Sequence, residues 1–218
     1  MKKIILIIFI LFNASKACAI SSESYAWSTI TVEKDFYHDK FIAYFEIHPR
    51  TQIDFIDLHR LVIRPALGYR ANKNTVLWLG YAWTPIFDPF KQESRIWQSI
   101  EFKNKYKKLD IDNRTRLEER FIEDSSDMSL RLRHRLKFAY PIVQDESLKV
   151  VLSEELFIYL NDTTNKQPGF DQNRLFIGLN KKLNEAVSLE GGYMFRYSLK
   201  QGEDAINHNL ILNLNINL

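Results

Sequence analysis

The sequence predicts an all-β protein: an antiparallel up-and-down barrel that spans a membrane. Three observations predict it. Apolar and polar residues alternate with period 2 through most of the chain, the connections alternate between short and long, and the N-terminus reads as a secretory signal on a chain with a single cysteine. Period-2 alternation is a strand with two unlike faces.

The first element is "MKKIILIIFILFNASKACAI". Lys2 and Lys3 precede an apolar run, Ile4 to Phe12, that is too short to span a bilayer. Ala17 and Ala19 supply the small residues of a cleavage site, so residues 1–19 are expected to be a signal peptide and 20–218 one barrel domain. The rival reading of Cys18 as a lipoprotein cysteine wants Leu three residues earlier, where Ser15 stands. Cleavage removes Cys18, which excludes disulfides and cysteine chemistry. It also removes Lys2, Lys3 and Lys16, so the net charge of +3 belongs to the signal. The remaining chain is balanced, and nucleic acid is not an expected partner.

The strands follow in order. "DKFIAYFEI" sets Phe41, Ala43, Phe45 and Ile47 against Ile42, Tyr44 and Glu46. "HRLVIRPALGYR" alternates Leu61, Ile63, Pro65, Leu67 and Tyr69 with Arg60, Val62, Arg64 and Arg70. "TVLWLGYAW" puts Leu77, Leu79, Tyr81 and Trp83 on one face. "MSLRLRHRLKFAY" sets Leu130, Leu132, Leu136, Phe138 and Tyr140 against Arg131, Arg133, Arg135 and Lys137. "AVSLEGGYMFRYSL" opposes Val187, Leu189, Tyr193, Phe195 and Tyr197 to Glu190, Met194 and Arg196. Similar strands are expected near 93–107, 109–123, 147–160 and 171–183. "HNLILNLNINL" closes the chain with Leu210, Leu212, Leu214, Ile216 and Leu218 in alternate positions. Ten strands fit between Asp39 and Leu218, with twelve as the alternative. "AWSTITV", within the segment Tyr25 to Val32, is then expected to lie outside the closed barrel. "RANKN", "KKLD", "QDES" and "KKLNEA" read as short turns; "HPRTQIDFID", "TPIFDPFKQES" and "NDTTNKQPG" read as long loops, with "EDSSD" a weak member.

Alternation alone leaves two facings open. In a soluble sandwich or lipocalin-like barrel the leucine face points inward; in an outer-membrane barrel it meets lipid. A signal peptide on a mature chain without cysteine, the loop alternation, the strand-end aromatics and the alternating last strand favour the membrane. That reading implies the outer membrane of a Gram-negative bacterium, with lipid and lipopolysaccharide as neighbours. The row from Leu210 to Leu218 would then be the signal read by the barrel-assembly machinery. His134, Asn113 and Thr115 resist it, because they fall in phase with the apolar face.

The expected interior face carries Arg60, Arg64, Arg70, Glu101, Arg114, Arg116, Glu118, Arg120, Arg131, Arg133, Arg135, Glu154, Arg174, Glu190 and Arg196. Arginine suits bidentate pairing with carboxylates, so a cross-braced, largely filled scaffold is the first reading. A cationic constriction passing small anionic solutes is the second. Catalysis needs His beside Ser or carboxylates. His38, His48, His59, His134 and His208 do not converge on this strand plan, and Ser126 and Ser129 sit at a strand end, so no catalytic residue is expected. No cofactor is expected, and no metal site: the sequence lacks His-x-x-His or a cysteine cluster, and Asp124 and Asp127 make only an acidic loop.

"ESRIWQSIEF", "NRTRLEERF", "LRLRHRLKFAYPI", "SEELFIYLND", "FDQNRLFIGLN", "LEGGYMF" and "INHNLILNLNINL" occur in that order. Together they resemble the bacterial outer-membrane β-barrel family catalogued as domain-of-unknown-function family 2490, over roughly residues 25–218. The resemblance implies an envelope β-barrel and carries over no catalytic residue.

Overall fold

The computed structural model describes residues 20–53, 57–87, 89–123, 125, 127–163, 167–199 and 204–218. The expected signal peptide at 1–19, Asp124 and Ser126 lie outside the described residues.

Among the described residues, eleven strands form a closed barrel. They are β1 (Ile20–Phe36), β2 (Phe41–Gln52), β3 (Leu58–Asn72), β4 (Thr75–Ile86), β5 (Lys91–Tyr106), β6 (Leu109–Ile122), β7 (Ser129–Pro141), β8 (Leu148–Tyr159), β9 (Gly169–Lys182), β10 (Val187–Ser198) and β11 (Asp204–Asn217). Sequential neighbours pair antiparallel, and β1 closes the ring by pairing parallel with β11. The seam runs in unbroken register from Ile20 opposite Asp204 to Glu33 opposite Asn217. Leu218 continues it, donating its backbone N–H to the Glu33 carbonyl at 2.8 Å.

Two expectations are corrected here. Among the described residues the count is eleven, neither ten nor twelve, and the Tyr25–Val32 segment is part of the barrel wall as the core of β1. An odd count makes the first and last strands run the same way, so the closing pair is parallel. The long loops are also shorter than the sequence suggested. β4 runs on to Ile86 and β5 begins at Lys91, which absorbs most of "TPIFDPFKQES" into strands. We call the end carrying 37–40, 73–74, 107–108, 142–147 and 183–186 the turn end, and the opposite one the loop end. At the turn end the Asp145 carboxylate accepts hydrogen bonds from the Ser147 backbone N–H and hydroxyl, which hold it below the ordinary aspartate range.

The leucine face points out. Leu67, Leu79, Ile177, Leu210 and Leu212 are all about half exposed, on strands spread around the ring. Among the described residues the interior holds two apolar clusters set between charged side chains. One joins Ile42, Val62, Val76, Trp78, Ala82 and Trp97; the other joins Tyr25, Trp27, Val151, Phe176 and Met194. Trp78 and Trp97 lie over glycines of the adjacent strand: Gly68 is opposite Trp78 and Gly80 opposite Trp97. A Cβ on Gly80 would come within 2.3 Å of the Trp97 ring. The absent side chains make the room that each indole fills.

Candidate functional site

The site is the barrel interior, a wall of inward side chains around a cavity of about 640 Å³ open to solvent. Each strand supplies every second residue, so the sequence alternation builds the wall directly.

Ion pairs brace it. Glu118, 1% exposed, accepts from Arg131 and Arg133, both at 2.5 Å. Arg133 reaches on to Glu155 at 2.9 Å, and Glu155 also takes Arg114 at 3.0 Å. Arg131 extends the chain to Asp171 at 3.3 Å. Glu93 holds Arg95 at 2.7 Å and Arg120 at 2.5 Å, and Arg120 donates to the Tyr159 hydroxyl. Arg64 pairs with Glu46 at 2.7 Å, Arg135 with Asp112 at 2.9 Å, and Lys137 with Glu190 at 2.6 Å. Several of these groups are buried, which makes breaking a pair costlier than the pair is worth.

Arginines also face arginines. Among the described residues, five cross-strand positions oppose two of them: Arg50 and Arg60, Arg95 and Arg120, Arg114 and Arg135, Arg116 and Arg133, Arg174 and Arg196. Arg116 has no carboxylate within ion-pair distance among the described residues; its guanidinium lies 3.8 Å from the Trp97 ring centroid. A cation over an indole face is attracted by the ring quadrupole.

The structure places Arg60, Arg64, Arg114, Arg116, Arg120, Arg131, Arg133, Arg135, Arg174, Glu190 and Arg196 on the cavity wall, with Glu118 buried behind them. Glu154 is the exception. It is exposed on the outward face, where it accepts from the Asn173 side chain at 2.9 Å, and Glu155 takes the inward position. The physical reason is phase: Leu152, Leu156, Ile158 and Leu160 point outward, and Glu154 shares their parity. His134 is outward and 2.9 Å from the Thr115 hydroxyl; His208 lies 2.6 Å from the Tyr193 hydroxyl. His48, in contrast, faces inward, 3.7 Å from Glu46 and beside Trp27. Among the described residues no group of three or more His, Cys, Asp or Glu is placed to hold a metal ion.

Sequence reasoning missed Arg50, Glu93, Arg95 and Asp171. Arg50 lies in a strand end that read as loop, and Glu93 and Arg95 lie at the start of the strand expected near 93–107, where the facing of side chains was not read; continuing the period-2 count through "HPR" and "QESR" would have found them. Asp171 sits beside a register shift opposite Phe157 and Ile158, which turns Asp171 and Gln172 inward together. In the last strand Leu210, Leu212 and Leu218 are exposed and Leu214 and Ile216 half-buried, while Asn207 and Asn209 are fully buried. Asn209 donates to the Met194 carbonyl at 3.0 Å, and Arg196 donates to Asn207 at 2.8 Å.

These features define a closed β-barrel with an apolar exterior and a charged interior. The chain belongs to the family described as "Protein of unknown function (DUF2490)", whose profile matches residues 25–207. It is similar to an uncharacterized protein of Methylorubrum extorquens, 34% identical over 181 residues, 79% of each chain. No solved structure matches it.

Proposed function

We propose that the protein is an outer-membrane β-barrel of a Gram-negative envelope, a scaffold whose interior is braced by ion pairs. One observation carries this reading: the polarity of the wall is inverted relative to a soluble barrel. Leu79 is 57% exposed and Ile177 56%, whereas Glu118 is 1% and Arg116 4% exposed. An apolar surface running around a whole barrel far exceeds the patches of a few hundred Å² that soluble monomers expose.

Dimensions support it. Twelve residues, the shortest strand length here, rise ~3.3 Å each and, tilted by about 45°, span roughly 28 Å, near the thickness of a hydrocarbon core. Aromatic residues gather at both ends. Near the turn end Phe36 stacks on Phe41 with ring centroids 5.7 Å apart and Tyr69 packs tilted against Phe41 at 5.5 Å, and Phe170 stacks on Tyr197 at 6.0 Å near the loop end. Aromatic girdles of this kind sit at membrane interfaces. On this reading lipid and lipopolysaccharide cover the leucine face, and the barrel-assembly machinery reads β11. The reading assigns no catalytic group.

The test is fractionation of cells producing the full chain, with gel mobility compared before and after boiling. Recovery in the outer membrane with heat-dependent mobility is expected; a soluble periplasmic protein overturns the proposal. A second reading, a narrow anion-preferring channel, is favoured by the arginine excess around an open cavity. Single-channel recording of the refolded protein tests it: anion-selective steps support the channel, silence the scaffold.

A further inference from the structure

Like charges directly opposite each other on one face of a sheet repel. Three of the five arginine pairs are relieved by the chain itself. Glu93 bridges Arg95 and Arg120; Glu155 and Asp112 take Arg114 and Arg135; Glu118 takes Arg133 while Arg116 rests on Trp97.

The other two lack a carboxylate of their own. Arg50 donates to the His48 ring at 3.3 Å and lies over Trp27, and Arg196 donates to the Asn207 side chain at 2.8 Å; none of these partners carries a negative charge. Among the described residues, no carboxylate lies within 4.0 Å of Arg50, Arg60 or Arg196. Arg174 reaches Glu155 only at 3.8 Å, and Glu155 is already held by Arg133 and Arg114. Among the described residues the Nε atoms of Arg60 and Arg174 are buried without a hydrogen-bond partner, as are those of Arg116, Arg133 and Arg135. Both pairs line the same cavity just inside the loop end, and three of the four arginines face Trp27. The guanidinium carbons of Arg50, Arg174 and Arg196 lie 4.0, 5.2 and 5.6 Å from its ring centroid. Arg50 is repelled by Arg60, Arg174 and Arg196 across this space. Glu23 and Asp171 attract Arg196 from a distance, but Glu23 accepts from Tyr25 and Asn207, and Asp171 is paired with Arg131.

We infer that the Arg50/Arg60 and Arg174/Arg196 pairs around Trp27 bind a compact, multiply charged oxyanion bearing phosphate or carboxylate groups. The anion does for these pairs what the Glu93 carboxylate does for Arg95 and Arg120. Guanidinium forks match both oxyanions bidentately, and a cavity of about 640 Å³ is the size of a small-molecule site. The inference goes beyond the envelope scaffold and does not depend on where the barrel resides. The anion comes either from a free solute or from a phosphorylated lipid headgroup.

The test is calorimetric titration of the folded, detergent-solubilised full chain with pyrophosphate, with citrate and with micellar lipid A, alongside thermal unfolding. Saturable binding and a raised unfolding midpoint are expected from at least one probe. The double variant Arg60→Gln/Arg196→Gln should bind it at least tenfold more weakly. Arg70→Gln, whose partner Asp35 lies near the turn end, should bind like the parent. Arg60→Gln alone should raise the midpoint without ligand, because it removes repulsion, while shrinking the ligand-induced shift. This readout remains if the double variant fails to fold. Binding of the soluble probes assigns a free solute; binding of lipid A alone, lost in the variant, assigns a headgroup. No binding of any probe, or equal binding by parent and variant, overturns the inference.

Discussion

Glu154 and Glu155 are adjacent in sequence and lie on opposite sides of the wall, so neutralising each should move stability in opposite directions. Glu155 is 8% exposed and meets Arg133 at 2.9 Å, Arg114 at 3.0 Å and Arg174 at 3.8 Å. Glu155→Gln removes the charge those guanidiniums share and leaves them facing one another. Breaking a buried ion pair from one side costs about 3–5 kcal/mol, and water in the cavity puts Glu155 near the lower bound, about 3 kcal/mol. Glu154 points outward and accepts only from Asn173 among the described residues. A lipid-facing cation at the midplane costs roughly 2–4 kcal/mol and a carboxylate less, so Glu154→Leu should stabilise the barrel by up to about 2 kcal/mol. The assay is urea unfolding of both variants in lipid vesicles, followed by the mobility shift of folded barrel on unboiled gels. Loss of stability in both variants, or a more stable Glu155→Gln, would refute the assigned facing of β8 and the bracing role of Glu155.

Gly80→Ala should destabilise by about 1–3 kcal/mol, the usual cost of overpacking, because its Cβ meets the Trp97 ring; the same unfolding assay reads it, and Trp97→Leu on that background should recover part of the loss. Leu218 is 68% exposed and bonded to β1 only through its backbone N–H among the described residues. Leu218→Asp should lower the amount of assembled barrel, and Leu218→Phe should leave it unchanged, as quantified by heat-modifiable protein in membranes.

Much of the wall was legible because alternation and packing agree. "LRLRHRLKF" can be phased in one way only, and β7 has Leu130, Leu132 and Leu136 outward with Arg131, Arg133 and Arg135 inward. Where doublets interrupt the pattern, the phase weakens. "VVLSEEL" puts one Val and one Glu on each face whichever way it is read, and the neighbours Leu156, Ile158 and Leu160 decide. Strand ends were hidden by Pro85, Pro89 and Gly169, which read as loop punctuation although β4 and β5 continue to Ile86 and from Lys91. The parallel seam had no local signal at all: β1 and β11 are some 180 residues apart, and their pairing follows from an odd strand count. The ionic partners of each arginine were equally hidden, since they depend on shear between strands and not on spacing within one.

The central claim is that the leucine face meets lipid and the arginine face does not. Environment-sensitive fluorophores attached through Leu79→Cys, Ile177→Cys and Leu212→Cys, on β4, β9 and β11, test it in vesicles containing brominated lipid. Asn213→Cys, on the cavity wall, is the inward control. Strong quenching at the three outward positions, with little at Asn213, is the predicted result. Quenching at Asn213 with none at the outward three, or none anywhere in a folded barrel, would contradict the account.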